Sequence, residues 1–164
     1  MEEEVASQIR RRIRGPVALV GIGNPLRGDD GLGPKLIDTL KGAVAANLFD
    51  CGTAPENYII PILNANPGSL VFLDAADFGS TPGAIGVFDM SEVSGISFST
   101  HNTSPRLLAD LFKTGDARLN IFMVVVQPKS ISFGEGLSEE AKAAIERLKR
   151  IFSSILSANG TQVR

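Results

Sequence analysis

The sequence predicts an α/β protein built on a single twisted, mainly parallel sheet of about five strands with helices on both faces. Apolar runs of strand length, such as residues 17–22 and 69–74, lack polar alternation, which is typical of strands buried on both faces. Segments with helical spacing of apolar residues lie between these runs. The chain has 164 residues, 43% of them hydrophobic and 21% charged, which suits one core. We therefore expect a single domain over residues 1–164.

The first half of the chain begins with an amphipathic segment at residues 5–14, which we interpret as a helix within an N-terminal extension, 1–15. A glycine–proline pair ends that helix, and the later elements are separated by further glycine- and proline-rich breaks. Beyond it, the predicted elements are a strand at 17–22, a loop at 23–28, a helix from Asp30 to about Lys41, a strand at 44–50 and a helix starting at Pro55.

The second half continues the alternation with two strong apolar strands and one weaker one. Ser104–Pro105 and Ser138 have the residue types of helix N-termini. The predicted elements are strands at 69–74, 85–89 and 119–126, and helices from Ser104 to Phe112 and from Ser138 to about Leu156.

Composition excludes several kinds of site. The single cysteine, Cys51, permits no internal disulfide and no multi-cysteine metal centre, and the single histidine, His101, permits no three-histidine site. The net charge of -2 gives no general attraction to nucleic acid or to a membrane surface. No apolar stretch approaches a membrane span of about 20 residues. We expect a cytoplasmic protein that binds neither membrane nor nucleic acid.

The loop between the first strand and the first internal helix resembles a dinucleotide-binding loop in position but not in chemistry. Leu26 replaces the third glycine of that motif, and Asp29 and Asp30 stand where a pyrophosphate needs free N–H groups. Asp50 only superficially mimics the acid that binds ribose. We expect Asp29 to cap the helix and Asp30 to project outward.

Two more polar residues belong to the same predicted edge of the sheet. Asp74 directly follows a buried strand, and His101 lies in a polar loop before a helix. Each alone has an ordinary structural explanation, as a turn residue or a solvated histidine. Together with Asp30 they supply two carboxylates and one imidazole, which can bind a divalent transition ion with open positions. A site with so few soft ligands would hold a metal only weakly on its own. This favours a metal that a partner brings or that binds only in the complex.

These residues and their neighbours resemble those of the NiFe-hydrogenase maturation endopeptidases, most closely the branch that processes the formate-hydrogenlyase type of hydrogenase. The resemblance covers roughly residues 17–157. Its departures are Cys51, where the family usually has glycine, and the extension at 1–15. The matching segments are Gly21–Asn24, Asp29–Gly33, Asp50–Asn57, Leu73–Asp77, Pro82–Gly83, Thr100–Asn102 and Gln127–Pro128.

The resemblance implies an endopeptidase that trims the C-terminal extension of a hydrogenase large-subunit precursor once nickel is inserted. By motif, the residues that recognise nickel map to Asp30, Asp74 and His101, with the nickel supplied by the precursor rather than bound tightly. Either the ion polarises the scissile carbonyl or a water, or a carboxylate acts as general base. A nucleophilic Cys51 is disfavoured, because it follows a buried strand and only His101 could activate it.

Two other functional classes stay open at this stage. One is a nucleotide-binding α/β protein, which a nucleotide titration would reveal. The other is a non-catalytic chaperone that binds hydrogenase precursors, which a cleavage assay would separate from a peptidase.

Overall fold

The computed structural model describes residues 1–98 and 103–157 and has one sheet at its centre. In spatial order the strands are β2-β1-β3-β5-β4; the pairs β2–β1, β1–β3 and β3–β5 are parallel, and β4 runs antiparallel to β5. The strands are β1 (Val17–Gly21), β2 (Asn47–Asp50), β3 (Ser69–Ala75), β4 (Ile85–Asp89) and β5 (Asn120–Val126).

Helices cover both faces of this sheet, as predicted. The helices α1, α2 and α5 pack on one face, and α3 and α4 pack on the other. In the described part of the chain the α-helices are α1 (Glu2–Arg10), α2 (Leu32–Leu40), α3 (Ile59–Asn64), α4 (Pro105–Gly115) and α5 (Glu139–Ile155). Short 3-10 helical turns occupy Gly28–Gly31, Pro55–Tyr58 and Met90–Gly95.

The apolar character of β3 follows directly from its central position. Val71 and Leu73 face the core under α2 and α5, whereas Leu70 and Phe72 face the core under α3 and α4. Since successive strand residues point to opposite faces, a strand covered on both faces is apolar at its central positions, and the two polar residues of β3, Ser69 and Asp74, lie towards its ends. The apolar runs therefore predicted the fold class correctly.

The N-terminal segment is more than a surface addition. Ile9 and Ile13 are 0% and 2% exposed and belong to the core under α5. The predicted helix at 5–14 differs from α1, which ends at Arg10, because the following residues hydrogen-bond to the sheet instead. The Asn120 side-chain amide donates to the carbonyl of Arg12 (2.6 Å), and the backbone N–H of Arg14 donates to Ser69 Oγ (2.7 Å).

Two other elements are shorter than predicted. The strand predicted at 44–50 narrows to β2, since Val44 instead forms an isolated bridge with Ser157. The helix predicted from Asp30 begins as the 3-10 turn Gly28–Gly31 and becomes α-helical only at Leu32. Among the described residues, no helix is both long enough and apolar enough to cross a membrane.

Candidate active site at the carboxyl edge of the sheet

The site lies where β1 and β3 end side by side. The chain leaves β1 towards β2 on one side of the sheet, and it leaves β3 towards β4 and β5 on the other. Such a topological switch point opens a crevice at the carboxyl ends of the strands, where open α/β sheets bind their ligands. Asp30 lies in the 3-10 turn that follows β1, and Asp74 is the second-last residue of β3.

Both acids are buried and held by backbone N–H groups. Asp30 is 0% exposed, and its Oδ2 accepts a hydrogen bond from the N–H of Asn24 (2.7 Å). Asp74 is 1% exposed, and its Oδ1 accepts from the N–H of Ala75 (2.8 Å). Buried carboxylates are rare unless hydrogen bonds of this kind fix them. The prediction that Asp30 projects outward is wrong in this respect, because the turn directs it into the protein.

A glycine allows the turn that carries Asp30 to lie against the end of β3. A Cβ atom at Gly33 would overlap the carbonyl oxygen of Ile22 and lie 2.6 Å from that of Leu73. Any larger residue would push the start of α2 away from both strands. With glycine there, the turn Gly28–Gly31 contacts β3.

His101, the third predicted site residue, lies outside the described residues, so its placement beside the acids stays a prediction. Ser97, four residues before His101, is close to the site, because it forms an antiparallel bridge with Asp77, three residues after Asp74. Across residues 1–98 and 103–157, no group of three or more His, Cys, Asp or Glu side chains could hold a metal ion.

Asp29 does not cap the helix that follows it, contrary to prediction. It is 1% exposed, and its two carboxylate oxygens accept three hydrogen bonds, from the N–H of Lys129 (2.8 Å) and from the N–H and hydroxyl of Ser138 (2.7 Å each). Ser138 is itself the N-cap of α5, and its Oγ accepts from the N–H of Ala141 (3.1 Å). Asp29 therefore places its charge at the start of α5, where the helix dipole favours an anion.

Backbone hydrogen bonds extend this connection between the β1–α2 and β5–α5 loops. The N–H groups of Gly28 and Asp29 donate to the carbonyls of Glu135 (3.1 Å) and Ser130 (2.9 Å). The N–H of Asp30 donates to the carbonyl of Arg27 (3.0 Å). The N–H groups that a nucleotide phosphate would require are thus already used, which argues against the nucleotide-binding alternative.

Gln127 organises the loop that follows β3 beside the site, a role that the sequence did not reveal. Its side-chain carbonyl accepts from the N–H groups of Phe78 (3.0 Å) and Ser80 (3.2 Å), and its amide donates to Asp77 (3.0 Å). The bond from Gln127 is the main cause that lowers the pKa of Asp77. A cleft of about 280 Å³ lies between the end of β3 and residues 127–131. The available signals were the place of Gln127 directly after a strand and the match of Gln127–Pro128 to the family pattern, and neither specifies these contacts.

Cys51 has the chemistry of a structural thiol. It is 3% exposed, and burial, followed by the charge of Asp50, raises its pKa to about 12. A thiol is nucleophilic only as the thiolate, which is scarce at neutral pH for such a group. The structure thus agrees with the inference that Cys51 is not the nucleophile.

A comparison with known protein families identifies the family of this chain. A family model described as hydrogenase maturation protease matches residues 34–155. This chain belongs to the hydrogenase maturation protease family. The hydrogenase 3 maturation protease of Escherichia coli K12 is 32% identical to it over 131 residues, which cover 78% of this chain and 83% of the relative.

Solved structures of hydrogenase maturation proteases share the fold. The crystal structure of the NiFe-hydrogenase maturation protease HycI from Thermococcus kodakarensis is 30% identical, with a TM-score of 0.80 over 89% of this chain and 96% of that one. The solution structure of the endopeptidase HycI from Escherichia coli is 28% identical, with a TM-score of 0.77 over 91% and 97%. The family assignment makes the protein a peptidase.

We predict that Asp29→Asn lowers the free energy of unfolding by about 2 kcal/mol, because an amide leaves a buried N–H without an acceptor. Urea denaturation measures the change. Asp38→Asn is the matched control, since Asp38 is on the surface of α2 with a side chain 64% exposed, and we expect a change below about 0.5 kcal/mol. Equal stability of both variants would contradict the assigned role of Asp29.

We predict that the native protein resists alkylation of Cys51 by iodoacetamide at pH 8. With a pKa of about 12, only about one thiol in ten thousand is ionised there. Mass spectrometry should show full modification only after urea denaturation. Rapid modification of the folded chain would mean that Cys51 is accessible and reactive.

Proposed function

We propose that this protein is the endopeptidase that removes the C-terminal extension of a NiFe-hydrogenase large-subunit precursor after nickel insertion. In this proposal Asp30, Asp74 and His101 bind the nickel that the precursor holds and thereby recognise a loaded precursor. Family membership supports the peptidase activity and the link to hydrogenase maturation. Family membership disfavours a chaperone that binds the precursor without cutting it, and the hydrogen-bonded loop after β1 disfavours a nucleotide-binding protein.

One observation carries the proposal: Asp30 and Asp74 are both buried at the switch point of the sheet, each with a carboxylate oxygen held by a backbone N–H. Burying an acid is costly unless it is paired, and a cation that the substrate brings is a partner that two acids at one edge of a sheet can share. Carboxylate oxygens with an imidazole nitrogen suit a divalent transition ion. The nickel belongs to the substrate, so the enzyme does not need a complete site of its own.

This arrangement makes nickel a signal that the precursor is ready. A precursor that contains nickel offers a cation to the two carboxylates and to His101, whereas an empty precursor offers none. Because the nickel-loaded precursor binds more tightly than the empty one, the enzyme processes the loaded form selectively. Cleavage would therefore follow nickel insertion without a separate regulatory protein.

Two routes for the hydrolysis are compatible with the proposal. In one, the nickel of the substrate polarises the scissile carbonyl or a water molecule. In the other, Asp30 or Asp74 accepts a proton from water while the oxygen attacks the carbonyl carbon, and the proton passes to the departing amine nitrogen. In both routes the peptide bond breaks and one water molecule is consumed.

The test is cleavage of purified, nickel-loaded precursor by wild-type protein and by His101→Ala, Asp30→Asn and Asp74→Asn. We expect each variant to cut at least 100-fold more slowly, with the fold of His101→Ala unchanged by circular dichroism. Asp38→Asn, which alters an exposed acid on α2, should cut normally.

Full processing by a folded His101→Ala variant would exclude His101 from the site. Binding of the precursor by the wild-type protein without any cleavage would favour the chaperone instead. Stoichiometric, tightly bound zinc in the purified protein would favour a conventional metallopeptidase.

A further inference from the structure

Two large apolar side chains are exposed beside the candidate site. Leu26 is 61% exposed and Phe133 is 77% exposed. They lie in the loops that follow β1 and β5, whose carboxyl ends form the same edge of the sheet. The N–H of Gly134 donates to the carbonyl of Leu26 (2.8 Å), so the two loops meet at these residues. We call Leu26 and Phe133 the apolar lip.

The lip rests on a fixed backbone rather than on loose loops. The N–H of Leu26 donates to the side-chain carbonyl of Asn24 (2.9 Å). Behind the lip, the carboxylate of Asp29 joins the two loops through Lys129 and Ser138. A preorganised apolar surface loses little conformational entropy when a partner covers it. Exposed apolar residues on such a support are typical of a contact surface.

The lip is also connected directly to the site. Asn24, whose side chain holds Leu26, donates its backbone N–H to Asp30 Oδ2 (2.7 Å). Through these two bonds, Asn24 links the exposed Leu26 to the buried Asp30.

We propose that the apolar lip is a docking surface for the hydrogenase large-subunit precursor, which contacts it through an apolar patch next to its C-terminal extension. This inference rests on the proposed function, because the precursor is the partner whose peptide bond must reach Asp30 and Asp74. Aromatic side chains such as Phe133 are enriched among the residues that contribute most to binding at interfaces.

A second copy of this chain is a poorer occupant. A phenylalanine buries about 150–250 Å², and a stable interface needs about 800 Å² on each partner. The lip alone is too small to hold a dimer together. It suffices as one part of a larger contact that also covers the acidic edge, which is the contact a protein substrate makes.

The experiment measures processing of nickel-loaded precursor by Leu26→Ser, Phe133→Ser and the double variant. For the double variant we expect KM to rise at least tenfold, while kcat at saturating precursor stays within about twofold, because the lip binds substrate but does not touch the reacting atoms. Leu111→Ser on α4 is the control, since Leu111 is also exposed (41%) but belongs to a helix and not to the loops after β1 and β5.

An unchanged KM in the double variant would overturn the proposal, and so would an equal rise in KM for Leu111→Ser. A wild-type dimer that the lip variants convert to monomers without a change in KM would assign the lip to self-association instead. If the wild-type protein binds precursor but never cuts it, the proposed function fails. Loss of that binding in the lip variants would still support the docking surface.

Discussion

The buried carboxylate of Asp29 is the interaction on which the site depends. It joins the loop after β1 to the loop after β5 by accepting bonds from the backbone of Lys129 and from Ser138. An ionised group at 1% exposure is stable only with several such donors. Asp30 is the next residue in the same short turn. The hydrogen bonds of Asp29 therefore also fix the position of Asp30, although Asp29 itself is not proposed to bind nickel.

The order of the strands explains why the remaining features gather at the same edge. The parallel strands β1, β3 and β5 end at one edge of the sheet, so Asp74 at the end of β3 lies at the same edge as the loops that carry Asp30 and Gln127. Gly33 allows α2 to begin against the carbonyl groups of Ile22, just after β1, and of Leu73 in β3. The acids are thus placed by rigid elements, and the apolar lip by loops that are hydrogen-bonded to each other.

Sequence patterns predicted the sheet, its helices and the acids after β1 and β3, because these depend on local periodicity and on strand ends. The role of Asp29 was mispredicted because its partner Ser138 is 109 residues away, which no local spacing reveals. The end of α1 was misplaced for the same reason, since Asn120 and Ser69 draw residues 12–14 onto the sheet. The grouping of Asp30, Asp74 and His101 came from their residue types and their predicted place at one edge of the sheet, the resemblance added the role in recognising nickel, and the structure describes the first two residues.

The most direct test of the central claim is the affinity of the protein for nickel-loaded and nickel-free precursor whose scissile peptide bond is replaced so that it cannot be cut, measured by calorimetry with wild type and with Asp74→Asn. If the buried acids read nickel, the wild-type protein binds the loaded form at least tenfold more tightly, and the variant binds both forms about equally. Equal affinity of the wild-type protein for the two forms would contradict the claim, as would a preference for nickel that survives in the variant.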